Sequence, residues 1–308
     1  MDQREFLDHS LFIAQVPRQM SWFALLLVVV AAFTHATWNL MAKKAASVGA
    51  PFVAAYTGFS AIFFAPAAIW AVLRFGFPMT RFAIICIVAS GILHLAYSLT
   101  LQRGYSVADL SVVYPIARGT GPLLAAIGAF TLLEEKVTLG ATFGLIAIVS
   151  GILVLASGGK VTKLAEPTAR TGVAWGGATG TFIAGYTVVD AWGAKMLGIN
   201  PILIDWCANF VRLFFLAPSV LRDWNKFRQQ LDGYWLLAAG VGLLGPIGYI
   251  LVLTALQVGA PLHAVAPARE MSMMIGALLG VIVLGEKLTA ARLLGCALIF
   301  VGVVLLAT

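Results

Sequence analysis

The sequence predicts an all-α integral membrane protein with ten transmembrane helices, arranged as two five-helix repeats of inverted topology. Three observations predict it: an apolar composition, ten long apolar runs, and a set of matched residues 151 positions apart. Of the 308 residues, 61% are apolar and 11% charged, and the mean hydropathy is +0.95. Soluble domains average roughly 45–50% apolar and about 25% charged. That contrast excludes a soluble enzyme, a nucleic-acid binder and a disordered scaffold. The apolar runs lack the alternation of barrel strands, so the spans are helices. The formal net charge of +7 is read as loop and intramembrane Lys and Arg, not as a nucleic-acid surface.

A span needs about 20 mostly apolar residues. Ten stretches qualify, near 21–43, 50–73, 82–102, 107–133, 138–157, 171–196, 200–220, 234–257, 261–284 and 289–307. Residues 1–20 mix charge with apolar side chains and lack a cleavage-site pattern, so they form an N-terminal cytoplasmic or interfacial segment. The first repeat then covers 21–157, a linker 158–170, and the second repeat 171–308. Cys86, Cys207 and Cys296 lie far apart inside apolar segments, which argues against a disulfide framework or a C-x-x-C metal site. With the N-terminus in the cytoplasm, more Lys and Arg fall outside than inside. The positive-inside rule prefers the reverse.

The repeat is read from ordered matches. A spacing of 151 pairs Arg118 with Arg269, Glu135-Lys136 with Glu286-Lys287, Thr138 with Thr289, Gly144 with Gly295 and Gly151 with Gly302. It also sets His35, Asn39 and Lys44 opposite Tyr186, Asp190 and Lys195. A short gap sets His94 opposite Tyr249 and Gln102 opposite Gln257. Five spans per repeat is an odd number, so the second repeat must sit upside down. Inverted repeats mark secondary transporters, whose substrate site lies near the midplane between the halves.

Polar groups inside spans are expensive and face the bundle interior or a wet cavity. Arg118 lies in span 4 beside Tyr114 and Pro115, with Gly119, Gly121 and Pro122 after it. That setting suggests a loosened helix with free carbonyls. Arg269 follows Pro267 and precedes Glu270. Two roles are open for the arginines: pairing with an acid such as Glu270, Asp109 or Asp190, or holding an anionic group through the guanidinium fork. His35, Trp38 and Asn39 of span 1, His94 and Tyr97 of span 3, Tyr186 and Asp190 of span 6, and Tyr249 after Gly245-Pro246 together read as a cavity lining. His35 and His94 lack further ligands at metal-binding spacing, so no metal site is predicted. Asp205, Asn209 and Arg212 share one face of span 7, and their counterparts Ala54, Gly58 and Ala61 carry no polar side chain. That cluster reads as a structural polar seam, with an ion relay as the lesser reading. The Glu-Lys turns read as caps of the helices that follow, with Thr138 and Thr289 as N-caps. Gly140-x-x-x-Gly144 and Ala291-x-x-x-Gly295 fit close helix packing within the chain or in a dimer.

The repeat ends Leu133-Glu134-Glu135-Lys136-Val137-Thr138 and Leu284-Gly285-Glu286-Lys287-Leu288-Thr289 resemble those of the EamA branch of the drug/metabolite transporter superfamily. His35-Ala36-Thr37-Trp38-Asn39 with Lys43, and Val113-Tyr114-Pro115-Ile116-Ala117-Arg118-Gly119, resemble a subgroup of it. The likeness runs over residues 21–307. It implies ten helices around a central cavity, alternating access, both termini in the cytoplasm, and transport of small metabolites such as amino acids, often outward. Some members with this Tyr-Pro-x-x-Arg pattern are similar to proteins associated with phosphonate use. The small multidrug-resistance relatives use a first-helix carboxylate for proton exchange, and span 1 here has none. Asp190 in span 6 keeps open a proton-coupled exporter of cationic or quaternary amines.

The expected function is a secondary or facilitated transporter of an amino-acid-like, organic-acid or phosphonate-like solute, in a bacterial inner membrane. Its partners are a small-molecule substrate and the lipid bilayer, with no nucleic acid and no cofactor, as a monomer or homodimer. No phosphate loop, His-Glu-x-x-His or Gly-x-Ser-x-Gly motif is present, so no enzyme is expected.

Overall fold

A computed structural model describes residues 20–45, 47–77, 80–108, 110–157, 170–275 and 289–307. Among them the helices are α1 (Trp22–Lys44), α2 (Ala50–Phe75), α3 (Arg81–Val107), α4 (Leu110–Leu132), α5 (Leu139–Ser157), α6 (Arg170–Lys195), α7 (Pro201–Arg222), α8 (Trp224–Gln230), α9 (Trp235–Gln257), α10 (Leu262–Ala268) and α11 (Ala290–Ala307). Residues 271–275 are helical as well. Helices α1, α2, α3, α7 and α9 each contain a stretch long and apolar enough to cross a membrane.

Local sequence sets the helix starts. Thr80 Oγ1 accepts from the amide of Ala83 at 3.2 Å, and Asn200 Oδ1 from that of Ile202 at 2.9 Å, with Pro201 at the first helical position. Asp223 caps α8 through the amide of Lys226 at 2.9 Å. This short helix lies in the expected connection between spans 7 and 8. Arg103 does not end α3, which runs on to Val107, since Arg is itself a good helix former.

Two expectations about backbone are corrected. Helix α4 is unbroken from Leu110 to Leu132, through Pro115 and the glycines beside Arg118, so the helix is not opened there, although each proline lacks the N–H that would bond the carbonyl four residues before it. The break lies in span 9 instead. Helix α10 ends after Pro267, and Arg269 and Glu270 form a tight turn before residues 271–275 resume. Successive amides there reach back three residues: Glu270 to Pro267 O at 2.9 Å, Ser272 to Arg269 O at 3.2 Å, Met273 to Glu270 O at 2.9 Å. The rest of span 9, with Glu286-Lys287, lies outside the described residues.

The helices pack α1 on α9, α3 on α6, α4 on α6, α2 on both α7 and α9, α3 on α7, α4 on α10, and α5 on α11. The small-residue stripes of spans 5 and 10 meet within this one chain. A Cβ at Gly144 would stand 2.8 Å from the Gly302 carbonyl oxygen, so only glycine permits that approach. Trp22, Leu73, Phe214 and Leu236 point large apolar surfaces outward, while Thr57, Asp190, Asn209 and Glu270 are buried. That inside-out distribution is the one expected of helices in a hydrocarbon solvent.

Hydrogen bonds between connections define the two ends of the bundle. Lys195 Nζ bonds Glu135 and the carbonyl of Ala260, and Gln257 Nε2 bonds Ile199 O at 3.1 Å. The C-terminal ends of α4, α6 and α9 therefore meet the starts of α7 and α10. At the opposite end, Gln102 Nε2 bonds Gly49 O at 3.1 Å, joining the end of α3 to the start of α2.

Candidate functional site

A cavity of about 100 Å³ lies among α1, α2, α3, α6, α7, α9 and the Arg269 turn. Seven of the expected residues reach its wall: His35, Trp38, His94, Tyr97, Tyr186, Tyr249 and Arg269. Most of them sit on helix faces set by i, i+3 and i+4 spacing. His94 stacks on Tyr186 with ring centroids 3.8 Å apart, and Tyr249 meets His94 edge-on at 5.2 Å. Tyr97 meets Tyr186 edge-on at 5.7 Å.

Four expected residues stand behind the wall. Asn39 turns its amide back to the His35 carbonyl at 2.8 Å, the back-bonding open to a short polar side chain in a helix. Tyr114 lies under the Arg118 guanidinium, 5.5 Å from ring centroid to carbon. Arg118 is 6% exposed and tied to Glu270: Nη1 donates to Oε1 at 3.2 Å and lies 3.1 Å from Oε2. Asp190 is fully buried. The Tyr249 hydroxyl donates to its Oδ2, His94 Nδ1 is 3.9 Å away, and its Oδ1 has no hydrogen-bond partner.

His35 is held between two donors. Arg118 Nη2 approaches its Nε2 at 2.6 Å and Trp38 Nε1 its Nδ1 at 3.1 Å. A neutral imidazole has one accepting nitrogen, so only one of these contacts is a hydrogen bond at any moment.

Arg269 differs from Arg118. It is 4% exposed, it lines the cavity, and its Nε is 3.7 Å from Glu270 Oε1, too far for a hydrogen bond. A guanidinium has five donors in a planar fork suited to a carboxylate or phosphonate.

The span 7 cluster, read from sequence as a structural seam, is part of the cavity wall: Asp205, Asn209 and Arg212 all line it, with Tyr56 and Ser60 of α2 and Ser98 of α3. Asn209 Nδ2 bonds Asp205 Oδ2 at 3.1 Å and Ser60 Oγ at 2.9 Å. Arg212 donates to Asn209 Oδ1 at 2.8 Å, Thr57 Oγ1 at 3.1 Å and Tyr56 OH at 3.4 Å. The signal for this was present: three polar residues on one face, with only small apolar counterparts in the other repeat. Tyr56, alone in an apolar run, gave no such signal.

Glu135 departs from its expected role. Thr138 Oγ1 caps α5 alone, accepting from Ala141 N at 3.0 Å. Glu134 adopts a left-handed φ of 54°, and this turn aims Glu135 at α10 instead. Its Oε1 accepts from Lys195 Nζ at 2.8 Å and Leu262 N at 2.7 Å, and its Oε2 from His263 N at 3.0 Å and His263 Nδ1 at 2.7 Å. Burial alone would raise its pKa. The His263 hydrogen bonds and the Lys195 charge outweigh that and hold it at about 2.

Among the described residues no group of three or more His, Cys, Asp or Glu gathers to hold a metal. The arrangement offers no activated nucleophile. It offers opposed charges and hydrogen-bonding groups around a space for a small polar molecule.

The model of the EamA-like transporter family matches residues 170–308, so the second half of the chain belongs to that family of the drug/metabolite transporter superfamily. The long apolar helices mark the chain as a multi-pass membrane protein, and the family matched by its second half is one of transporters. No curated protein matches the sequence. Among solved structures, 29 chains match. One, described only as the crystal structure of a protein, is 17% identical with a TM-score of 0.69, covering 92% of this chain and 95% of its own. That likeness shows the fold.

Proposed function

We propose that this chain is a secondary or facilitated transporter that carries a small polar metabolite with an anionic group by alternating access, with Arg269 as the anchor for that group. One observation carries the reading: a buried arginine on the cavity wall with no hydrogen-bonded carboxylate. Burying a charge without a close partner is costly, and a guest anion removes that cost.

Alternating access rests on ten spanning helices in two inverted repeats. Exchanging the halves turns the α1–α9 pairing into α6–α3 and the α2–α9 pairing into α7–α3. It carries α2–α7, α4–α10 and α5–α11 onto themselves. The bonds of Gln102 to Gly49 O and Gln257 to Ile199 O are related in the same way. The cavity favours one end, reaching Trp38 near the end of α1, Tyr56 near the start of α2 and Val241 near the start of α9. The other end is closed where Glu135 ties the α4–α5 turn to α6 and α10. In this reading both termini, and the closed end with them, face the cytoplasm of a bacterial cell, as the resemblance implies and against the Lys/Arg count.

The test is uptake of labelled β-alanine and propionate into vesicles reconstituted with the parent or with Arg269→Ala. Saturable uptake by the parent, abolished in a variant with unchanged melting temperature, supports the reading. Uptake indifferent to Arg269→Ala, or carriage of tetraethylammonium alone, overturns it.

A further inference from the structure

We infer that α8 is a membrane-surface helix whose Lys226 and Arg228 hold the headgroups of anionic phospholipids. The inference concerns the outside of the bundle and does not depend on which solute the cavity carries.

Successive residues of a helix are rotated by about 100°. Trp224, Phe227 and the Leu231 that follows α8 therefore fall on one side, and Asn225 and Gln229 on the other. Lys226 and Arg228 occupy the two flanks between them. Phe227 and Leu231 are buried, in one apolar cluster with Phe52 of α2, Leu216 of α7 and Val241 of α9. Trp224 stacks on Phe227 with ring centroids 5.3 Å apart, and Phe227 meets Trp235 edge-on at 6.1 Å. The bundle thus takes the apolar side of α8. What is left for the membrane is the two basic flanks and the outer face of Trp224, which is 51% exposed.

The neighbouring side chains set the depth of this helix. Leu221, near the end of α7, is 76% exposed, and Leu236, near the start of α9, is 83% exposed. Both call for hydrocarbon around them. Trp224, Tyr234 and Trp235 lie between them in the chain, and such rings favour the boundary between hydrocarbon and water. The connection from α7 to α9 therefore sits at headgroup level, where long basic side chains reach lipid phosphates.

The charges on this connection are available. Arg222, Lys226 and Arg228 are all exposed, and none forms an ion pair among the described residues. Of the two acids in the connection, Asp223 caps α8 through the Lys226 amide, and Asp232 lies past the end of the helix. Trp224 and Arg228 are one turn apart on the same side of α8, so ring and cation address one headgroup together.

The sequence pattern agrees. The matched connection of the first repeat, residues 76–80, is shorter and carries no Lys or Arg. Helix α8 and its charges are an addition to the second repeat. In the orientation proposed above, these cations belong to the outer-side excess that the positive-inside rule does not expect. Lipid phosphates give that excess a partner.

The test places the purified full chain in nanodiscs of phosphatidylglycerol or of phosphatidylcholine. Hydrogen exchange is read over residues 224–231, with residues 196–200 at the other end of the bundle as the reference. Relative exchange about tenfold slower in phosphatidylglycerol is expected, since each basic residue near an anionic surface contributes about fivefold. This comparison needs no variant, so it stands even where a substitution unfolds the chain. In detergent, native mass spectrometry should find phosphatidylglycerol bound at least about tenfold more tightly than phosphatidylcholine. The Lys226→Gln/Arg228→Gln double variant should lose that preference, and Lys226→Arg/Arg228→Lys should keep it. Equal relative exchange in the two discs, or a preference unchanged in the glutamine variant, overturns the proposal. So does glycerol 3-phosphate, if it protects α8 in phosphatidylcholine as well as the anionic lipid does.

Discussion

Arg118 and Arg269 stand 151 residues apart in the matched pattern of the sequence and both flank Glu270, yet only Arg118 is hydrogen-bonded to it, at 3.2 Å, while Arg269 Nε lies 3.7 Å away. One carboxylate sits between two equivalent arginines and is committed to the first. The two positions therefore have different consequences when mutated.

Arg118→Ala strands Glu270, 1% exposed, without its partner. Breaking a buried pair in this way costs about 3–5 kcal/mol. Loss of the monodisperse peak in detergent, or a large fall in melting temperature, is the expected outcome. Arg269→Ala leaves the pair intact and lowers melting temperature little, while removing the stabilisation by anionic probes. Equal thermal behaviour of the two variants would contradict the assignment.

Glu135 sets an acid limit on the closed end. Its pKa falls from 4.5 to about 2 in the folded chain. A carboxyl with a lowered folded pKa stabilises above its unfolded value and loses that contribution as the pH drops through the folded one. The stabilisation is on the order of 3 kcal/mol, complete above about pH 5 and lost between about 4.5 and 2. Hydrogen exchange at the amides of Leu262 and His263 is the direct readout. It should accelerate across that window in the parent, and at pH 7 already in Glu135→Gln. Slow exchange in the variant would show that the carboxylate does not hold this end.

Tyr249→Phe removes the hydroxyl that donates to Asp190 and leaves a fully buried carboxylate without that hydrogen bond. The expected loss is about 1–3 kcal/mol. Asp190→Asn keeps the hydroxyl's partner and removes the charge, so its melting temperature at neutral pH should equal or exceed that of the parent. A drop would point to a cation on Asp190 that the geometry does not contain.

Gly144→Ala drives a methyl toward the Gly302 carbonyl oxygen, 2.8 Å from the new carbon. Helices α5 and α11 must separate, at a cost of about 1–3 kcal/mol. The same change at Gly177, where a Cβ meets nothing within 4 Å, should leave melting temperature nearly unaltered.

Much of this was legible in the sequence because apolar length and spacing are one-dimensional signals. Helices α1, α2 and α5 to α7 begin at or beside their expected residues, and His35, Tyr186 and Tyr249 reach the cavity from the faces their spacing assigned. Burial of Arg118 was legible too, but not its partner, because Glu270 is 152 residues away and adjacent to a second arginine. The Pro-Gly content around Arg118 suggested a loosened helix there, whereas the chain breaks at Arg269, where tight i–3 turns follow Pro267. Asp205 was visible as a polar residue, but whether a polar face meets another helix or an open space depends on how neighbouring helices splay. Glu135 misled for a simpler reason. A turn carboxylate usually caps its own helix, and the left-handed φ of Glu134 redirected this one across the bundle.

That redirection makes the junction at this end unequal. Of the four groups bonded to Glu135, three belong to Leu262 and His263 at the start of α10, and one to Lys195 at the end of α6. Withdrawal of α10 breaks its three bonds as a set. The carboxylate then keeps Lys195 as a counter-ion, so release exposes no orphaned charge. The junction is thus unequal, with three of its four bonds on the first turn of α10 and one on the last turn of α6.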